Sequence, residues 1–168
     1  MSMNTNNLTQ KYIQDNSYKT TFPSLLSFNR KWFFLDLKGK IGGRIAPKIV
    51  EILRGKNKKN FSPNSDLGDY VVLINAKHVD FTGNKKLDNE FYYNHSGYPG
   101  GLRKRSTRIM LERYPEELVF RIVKGMMPHT KLGDKQLERL FIFADEKLIK
   151  RNKTILQPQE KNFIKINL

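Results

Sequence analysis

One unbroken apolar run, Tyr70-Val71-Val72-Leu73-Ile74-Asn75-Ala76, narrows the fold of this chain more than any other stretch. A strand with one wet face alternates apolar and polar residues. A run without alternation suits a strand buried on both faces, as in a parallel sheet covered by helices. A second short run, Trp32 to Leu37, is aromatic and apolar and reads as an earlier strand. Between the two, Gly39, Gly42 and Gly43 make a turn. Arg44 to Arg54 then places apolar residues at 45, 46, 49, 50, 52 and 53, which is helical spacing, with Arg44, Lys48 and Glu51 on the opposite face. Gly55 is a natural stop. Strand, helix and strand in that order predict a βαβ unit with a right-handed crossover. Pro47 fits only if the helix starts close before it, in its first turn.

Downstream, His78 to Phe81 reads as a short strand or edge. Thr82-Gly83-Asn84 reads as a turn that leaves Lys85 and Lys86 at a loop. Glu90 to Tyr93 reads as a short strand leading into a stiff loop that runs to Arg108. That loop opens on aromatics, bends through Gly97, Pro99, Gly100 and Gly101, and ends in Arg103, Lys104, Arg105 and Arg108, with no acidic residue from Tyr92 onward. Glycines admit another molecule close to the backbone. Aromatic and cationic groups together suit a polyanion with flat faces, which is nucleic acid. A surface turn that happens to be basic is the plain alternative. Ser106 or Thr107 caps a helix to about Arg113 that buries Ile109, Met110 and Leu111. Pro115 opens another, with Leu118, Val119, Ile122 and Val123 as its stripe and Gly125 as its stop. Met126 to Gly133 reads as a second basic loop, with Lys124, His129 and Lys131 at or near its edges. Asp134 caps a brief helix and Leu140 to Ala144 is the last strand. The alternation argues for an α/β layered fold around a mostly parallel sheet.

The core therefore spans 29–148. Residues 1–28 are rich in Asn, Ser, Thr and Gln without apolar periodicity and read as an extended arm, with Phe22-Pro23-Ser24-Leu25-Leu26 and Phe28 able to dock on a neighbour. Hydroxyl residues and a lone acid, Asp15, match a mitochondrial presequence, but the arm lacks arginine and reads as retained. Residues 149–168 read as a tail lying on RNA or protein.

Charge then bounds the partner. The chain has 168 residues and a formal charge of +15, from 31 Lys and Arg against 16 Asp and Glu. Self-repulsion on that scale calls for an anionic partner. Nucleic acid is the default. There is no apolar run of spanning length and no long basic amphipathic helix, so no membrane partner is expected. Cysteine is absent, which excludes disulfides, thiolate metal sites and a cysteine nucleophile. His78, His95 and His129 lack metal-ligand spacing. Asp66, Asp69, Asp80 and Asp88 lack a calcium-loop pattern and read as caps and turns. Gly39, Gly42 and Gly43 do not have dinucleotide-site spacing, and Gly55-Lys56 is followed by Asn57, so no phosphate-cradling P-loop exists. No cofactor, metal, small-molecule substrate or catalytic group is expected. The readings weighed against RNA binding are a nucleotide-handling α/β enzyme and a free-standing RNA chaperone.

Several motifs, taken in order, give the chain a family likeness. They are Gly43-Arg44-Ile45-Ala46, Leu53-Arg54-Gly55-Lys56, Gly68-Asp69-Tyr70-Val71-Val72, Ile74-Asn75-Ala76 and Phe81-Thr82-Gly83-Asn84-Lys85. After these come His95-Ser96-Gly97-Tyr98-Pro99-Gly100-Gly101, then Lys124-Gly125-Met126-Met127-Pro128 with Lys131-Leu132-Gly133. Over about residues 30 to 146 the chain resembles the large-subunit ribosomal protein thirteen family in its bacterial and organellar form. Two features depart from that pattern. Asp145-Glu146-Lys147-Leu148 stands where bacterial members carry a His-Pro-His segment, and only Gln157-Pro158-Gln159 matches the tail that follows it. Pro47 stands where small or polar residues are usual. Ala76-Lys77-His78-Val79 and Phe143-Ala144-Asp145-Glu146 look more similar to mitochondrial members. That similarity and the long arm place the expected location in the mitochondrial large subunit, ahead of a plastid or the bacterial cytoplasm.

The resemblance implies a three-layer α/β/α fold with a four-stranded parallel sheet. It also implies binding to large-subunit ribosomal RNA among neighbouring large-subunit proteins, early in assembly, without catalysis. On this reading Arg44, Lys48, Arg54, Lys56, Lys58, Lys59, Lys85, Lys86, Arg103, Lys104, Arg105, Arg108, Lys124 and Lys131 neutralise phosphates. His95 and Tyr98 stack on or hydrogen-bond unpaired nucleotides, while Gly97, Gly100 and Gly101 let RNA reach the backbone.

Overall fold

The computed structural model describes residues 30–145 together with 149–150, 153–154 and 163–165. The arm over 1–28, the segment Glu146-Lys147-Leu148 and Gln157-Pro158-Gln159 lie outside the described residues. Strand β1 (Trp32–Asp36) leads into helix α1 (Gly42–Arg54), and the apolar run forms β2 (Tyr70–Ile74). β1 and β2 pair in parallel, Phe33 beside Val71 and Leu35 beside Leu73. After the central region β5 (Leu140–Ile142) pairs in parallel with the other edge of β2. The result is a mixed α/β core on a three-stranded parallel sheet.

The pleat explains the unbroken apolar run. Val71 and Leu73 face one side with Leu35 and Ile142, against the buried stripe Ile45, Ala46, Ile49, Val50, Ile52 and Leu53 of α1 and against Val119 and Val123. Val72 and Ile74 face the other side with Phe143, Trp32, Phe34 and Phe141. Trp32 stacks on Tyr70 at 4.3 Å between centroids and on Phe141 at 5.8 Å. Among the described residues the helices of the core cluster lie on the first face.

Gly55 ends α1 in the left-handed region at φ 75°, donating to Ile52 O while Lys56 N–H reaches Glu51 O. This closure satisfies the last carbonyls. A Cβ on Gly55 would stand 2.7 Å from Leu67 O, and one on Gly68 would stand 1.8 Å from Leu53 O. The two glycines let the helix end and the approach to β2 touch backbone to backbone.

Several sequence expectations need correction. α1 starts at Gly42, so Pro47 lies inside the helix rather than in its first turn. Both Pro47 and Gly43, whose carbonyl loses its intrahelical donor, lie on the exposed side of the helix. His78 to Phe81 is not a strand. Asn75 takes φ 58° and starts a short 3₁₀ turn, Ala76–His78, and only a single bridge between Ile41 and Asp80 remains of the expected edge. Lys85 and Lys86 sit on helix α2 (Asn84–Asn89), which has no apolar stripe to betray it.

The stiff loop is an antiparallel hairpin, β3 (Phe91–His95) with β4 (Leu102–Ser106). Helix α3 (Thr107–Arg113) is capped by Ser106 as expected. It buries Thr107 and Met110, three apart on one face, and turns Ile109 outward. α4 (Pro115–Met126) starts at Pro115 with Glu116 and Glu117 in its first turn but runs through Gly125. It ends because Met127 precedes Pro128 and is held extended. The second basic loop is shorter than expected, because α5 (Lys131–Leu137) begins at Lys131. Its cap is Thr130, whose Oγ1 accepts from Gly133 N–H at 3.2 Å, and not Asp134.

Candidate nucleic-acid interface

The hairpin sorts its residues by face, because paired residues of an antiparallel ladder share a side. Tyr93 pairs with Lys104 and His95 with Leu102, while Tyr92 pairs with Arg105 and Asn94 with Arg103. In the second set Tyr92, Asn94 and Arg105 turn toward α3 and α4, while Arg103 is exposed. Arg105 lies over the Tyr114 ring at 4.6 Å, and Arg121 lies over Tyr92 at 5.7 Å and donates to Asn94 Oδ1. Arg121 is held in turn by Glu117 one turn back. Burial pushes the Tyr92 phenol above its ordinary pKa, and the nearby Glu90 carboxylate adds to the effect.

The first set faces solvent. Tyr93 is 56% exposed, Leu102 60% and Tyr98, in the connecting bend, 75%. Lys104 Nζ sits 3.7 Å above the Phe91 ring on the same side. An exposed strip of three aromatic rings beside a lysine and a histidine can stack bases and meet phosphates at once. Sequence reasoning missed Phe91, Tyr93 and Leu102. The signal was there in the alternation of β3, but Leu-Arg-Lys-Arg-Ser hid its partner strand.

The bend itself is held internally. Gly97 and Gly100 take φ 87° and 72°, Ser96 N–H donates to Gly101 O, and Gly101 N–H donates to Tyr98 O. A Cβ on Gly101 would stand 2.1 Å from Ser96 Oγ. Gly97 N–H donates to His95 Nδ1 at 2.9 Å, which leaves the other ring nitrogen for a partner. These glycines shape the bend, and Tyr98 and His95 are the groups it presents.

The remaining cations divide. Arg44, in the first turn of α1, and Lys86 of α2 line one groove with Tyr92, so they join the base of the hairpin. Lys48 and Lys85 are exposed on those same two helices. Arg54, Lys56 and Lys59 lie at the opposite end of α1. A helix of 13 residues is about 20 Å long, so the two groups do not form one cluster. Lys124 is exposed in the last turn of α4 and Lys131 at the start of α5. Two candidates already hold carboxylates. Arg108 pairs with Asp88 on the surface at 2.9 Å, and that bond draws the Asp88 carboxyl below its ordinary pKa.

Lys58 is turned inward, 2.5 Å from Asp69 Oδ1 and 2.8 Å from Leu67 O. Burial pulls its pKa down against the lift from Asp69. Asp69 is fully buried and also accepts from Lys31 N–H. Asp66 beside it binds Arg139 and Arg30. Lys58, expected to contact a phosphate, is engaged by Asp69 and Leu67 O instead of standing free among the surface cations. Asp66, Asp69 and Asp88, read from the sequence as caps and turns, are ion-pair partners instead, Asp66 of Arg139 and Arg30, Asp69 of Lys58 and Asp88 of Arg108.

Residues 30–148 match the family model for ribosomal protein L13. The chain belongs to the ribosomal protein L13 family. It is 48% identical over 126 residues to large ribosomal subunit protein uL13 of Thermotoga petrophila, covering 75% of this chain and 84% of that one. Against uL13 of Mycoplasmopsis synoviae it is 44% identical over 126 residues, 75% of this chain and 87% of that one. Against uL13 of Alkaliphilus oremlandii it is 50% identical over 115 residues, 68% and 80% of the two chains. The match over 30–148 contains the whole L13-like core, hairpin included. The family is one of structural proteins and not of enzymes.

Proposed function

We infer that this L13-family chain is a structural constituent of the large ribosomal subunit that binds large-subunit ribosomal RNA and supports early assembly beside neighbouring large-subunit proteins. The observation that carries the RNA contact is the outward hairpin face, where Phe91, Tyr93, His95 and Lys104 share one side with no acidic residue between Phe91 and Leu111. Arg44, Lys48, Arg54, Lys56, Lys59, Lys85, Lys86, Arg103, Lys124 and Lys131 add phosphate contacts around it. Arg105 and Arg108 contribute mainly by fixing the hairpin and α3.

The sheet of the assembled protein is a four-stranded parallel one, and the second helical layer that the family resemblance implies would have to cover the face lined by Val72, Ile74 and Phe143. Support comes from Phe163–Lys165, which runs parallel beside β1. The arms, 1–28 and 149–168, extend from the core to RNA and protein neighbours. Residence in a mitochondrial ribosome is supported by the sequence after β5, where Asp145 pairs with Lys77 at 2.8 Å and so ties together two stretches that depart from the bacterial pattern. The relatives named above are bacterial proteins.

Co-sedimentation tests the reading. The tagged full chain is expected to travel with large subunits through moderate salt and, on organelle fractionation, with mitochondria. A chain that stays free of particles would overturn the ribosomal reading, and recovery with bacterial or plastid ribosomes alone would overturn the location.

A further inference from the structure

We propose that the groove where α1 begins seats one unstacked nucleotide, held by its phosphate and by an amino-bearing base. The proposal rests on the RNA-binding reading above and assigns a second, distinct contact. The groove measures about 400 Å³, within the range of roughly 300–1,000 Å³ typical of small-molecule sites. It opens at the start of α1, beside Phe81 and Thr82 and the foot of the hairpin. Three kinds of group converge on it. Arg44 and Lys86 supply charge for a phosphate, and Phe81 and Tyr92 supply flat apolar walls. Glu90 supplies a carboxylate.

The carboxylate is what makes the assignment specific. A track for phosphates alone gains nothing from an acid among its lining residues. An ionised carboxylate only accepts hydrogen bonds, so it suits an exocyclic amino group of adenine, cytosine or guanine, whereas uracil offers it only N3–H flanked by two carbonyl oxygens that repel it. The main chain at Glu90 is pinned, its carbonyl accepting from Thr107 N–H at 3.1 Å and from Thr107 Oγ1 at 3.2 Å. The Glu90 side chain has no ion-pair partner among the described residues. Arg121 braces the Tyr92 ring, which fixes that wall.

Gly43 gives a clean way to close the groove. It lines the groove, its backbone is helical, and a Cβ there would meet nothing within 4 Å. A larger residue at this position fills open space and also favours the helix.

The experiment uses the full chain and follows binding of AMP, CMP, GMP, UMP, inorganic phosphate and short single-stranded oligonucleotides by NMR titration. AMP, CMP and GMP are expected to bind more tightly than UMP, and inorganic phosphate more weakly than any nucleotide. Glu90→Gln should erase the preference over UMP. Gly43→Leu should weaken nucleotide binding by about tenfold, the scale of one lost base stack, with no fall in melting temperature. An oligonucleotide that binds tighter than its mononucleotide, and loses that advantage in Gly43→Leu, identifies an RNA strand as the source. Mononucleotides that bind as tightly as oligonucleotides would instead identify a free nucleotide as the ligand and overturn the RNA source. Phosphate binding equal to nucleotide binding, or unchanged binding in Gly43→Leu, would overturn the proposal. If those failures occur while the chain still co-sediments with large subunits, only the groove assignment falls. If nucleotides bind but the chain never joins particles, the ribosomal reading falls instead.

Discussion

The loop after α1 and the hairpin look alike in sequence, since both pack lysine and arginine into a few residues. In the fold they do opposite things with that charge. Lys58 turns inward to the buried Asp69, and the neighbouring Asp66 collects Arg139 and Arg30. The hairpin has no acid of its own between its strands, so Lys104 rests on a phenylalanine ring and keeps its charge for a partner. What separates the two is the supply of carboxylates within reach. A cation that finds a buried acid becomes part of the structure, and Lys104, resting on a ring of the outward hairpin face, stays available.

The largest expected effect tests the inward side of this contrast. Asp69→Ala strands Lys58 half-buried and should cost about 3–5 kcal/mol of stability in urea unfolding. RNA affinity of the folded fraction should hold. Reduced affinity with stability intact would erase the distinction between the two regions.

Next comes the outward side. Replacing Phe91 and Tyr93 together by alanine should cost about 1–3 kcal/mol of RNA affinity for each base that stacks there, with little change in melting temperature. Unchanged affinity would show that the strip faces a protein neighbour.

A smaller effect sharpens the sorting by the pleat. The triple change of Arg103, Lys104 and Arg105 to alanine should lower both RNA affinity and its salt slope. Taken singly, Lys104→Ala should reduce the slope by about 0.7–0.9. Arg105→Ala should instead loosen the hairpin by about 0.5–1 kcal/mol through the lost contact with Tyr114. Equal slope changes from both would mean that the faces do not divide the work.

The smallest effect is a pH dependence. Because burial lowers the folded-state pKa of Lys58 below its ordinary 10.5, the folded chain releases that proton before the unfolded chain does. Stability should therefore rise as pH climbs from the lowered value toward 10.5. Lys58→Gln should remove that rise in urea titrations at stepped pH.

The core was legible because its signals are local and periodic. The stripe of α1, the stop at Gly55, Ser106 as a cap and Pro115 as a helix start each follow from a few adjacent residues. The hairpin was legible as chemistry and not as shape. Leu102 to Ser106 is a strand only because β3 lies beside it, and no alternation marks it. α2 left no trace for the same reason, having one apolar residue, Leu87, in the stretch Asn84–Asn89. The inward turn of Lys58 depends on a carboxylate eleven residues away. A charge run read alone cannot show which of its members has found such a partner.

Trp32 is the single tryptophan of the chain, and it stacks on Tyr70 of β2 and Phe141 of β5. Its indole thus touches all three strands of the sheet, while the hairpin lies elsewhere. Its emission is a built-in optical gauge of sheet assembly. It reports directly whether the sheet of a variant is assembled, so loss of structure can be told from loss of grip when the trace is set beside an RNA-binding assay.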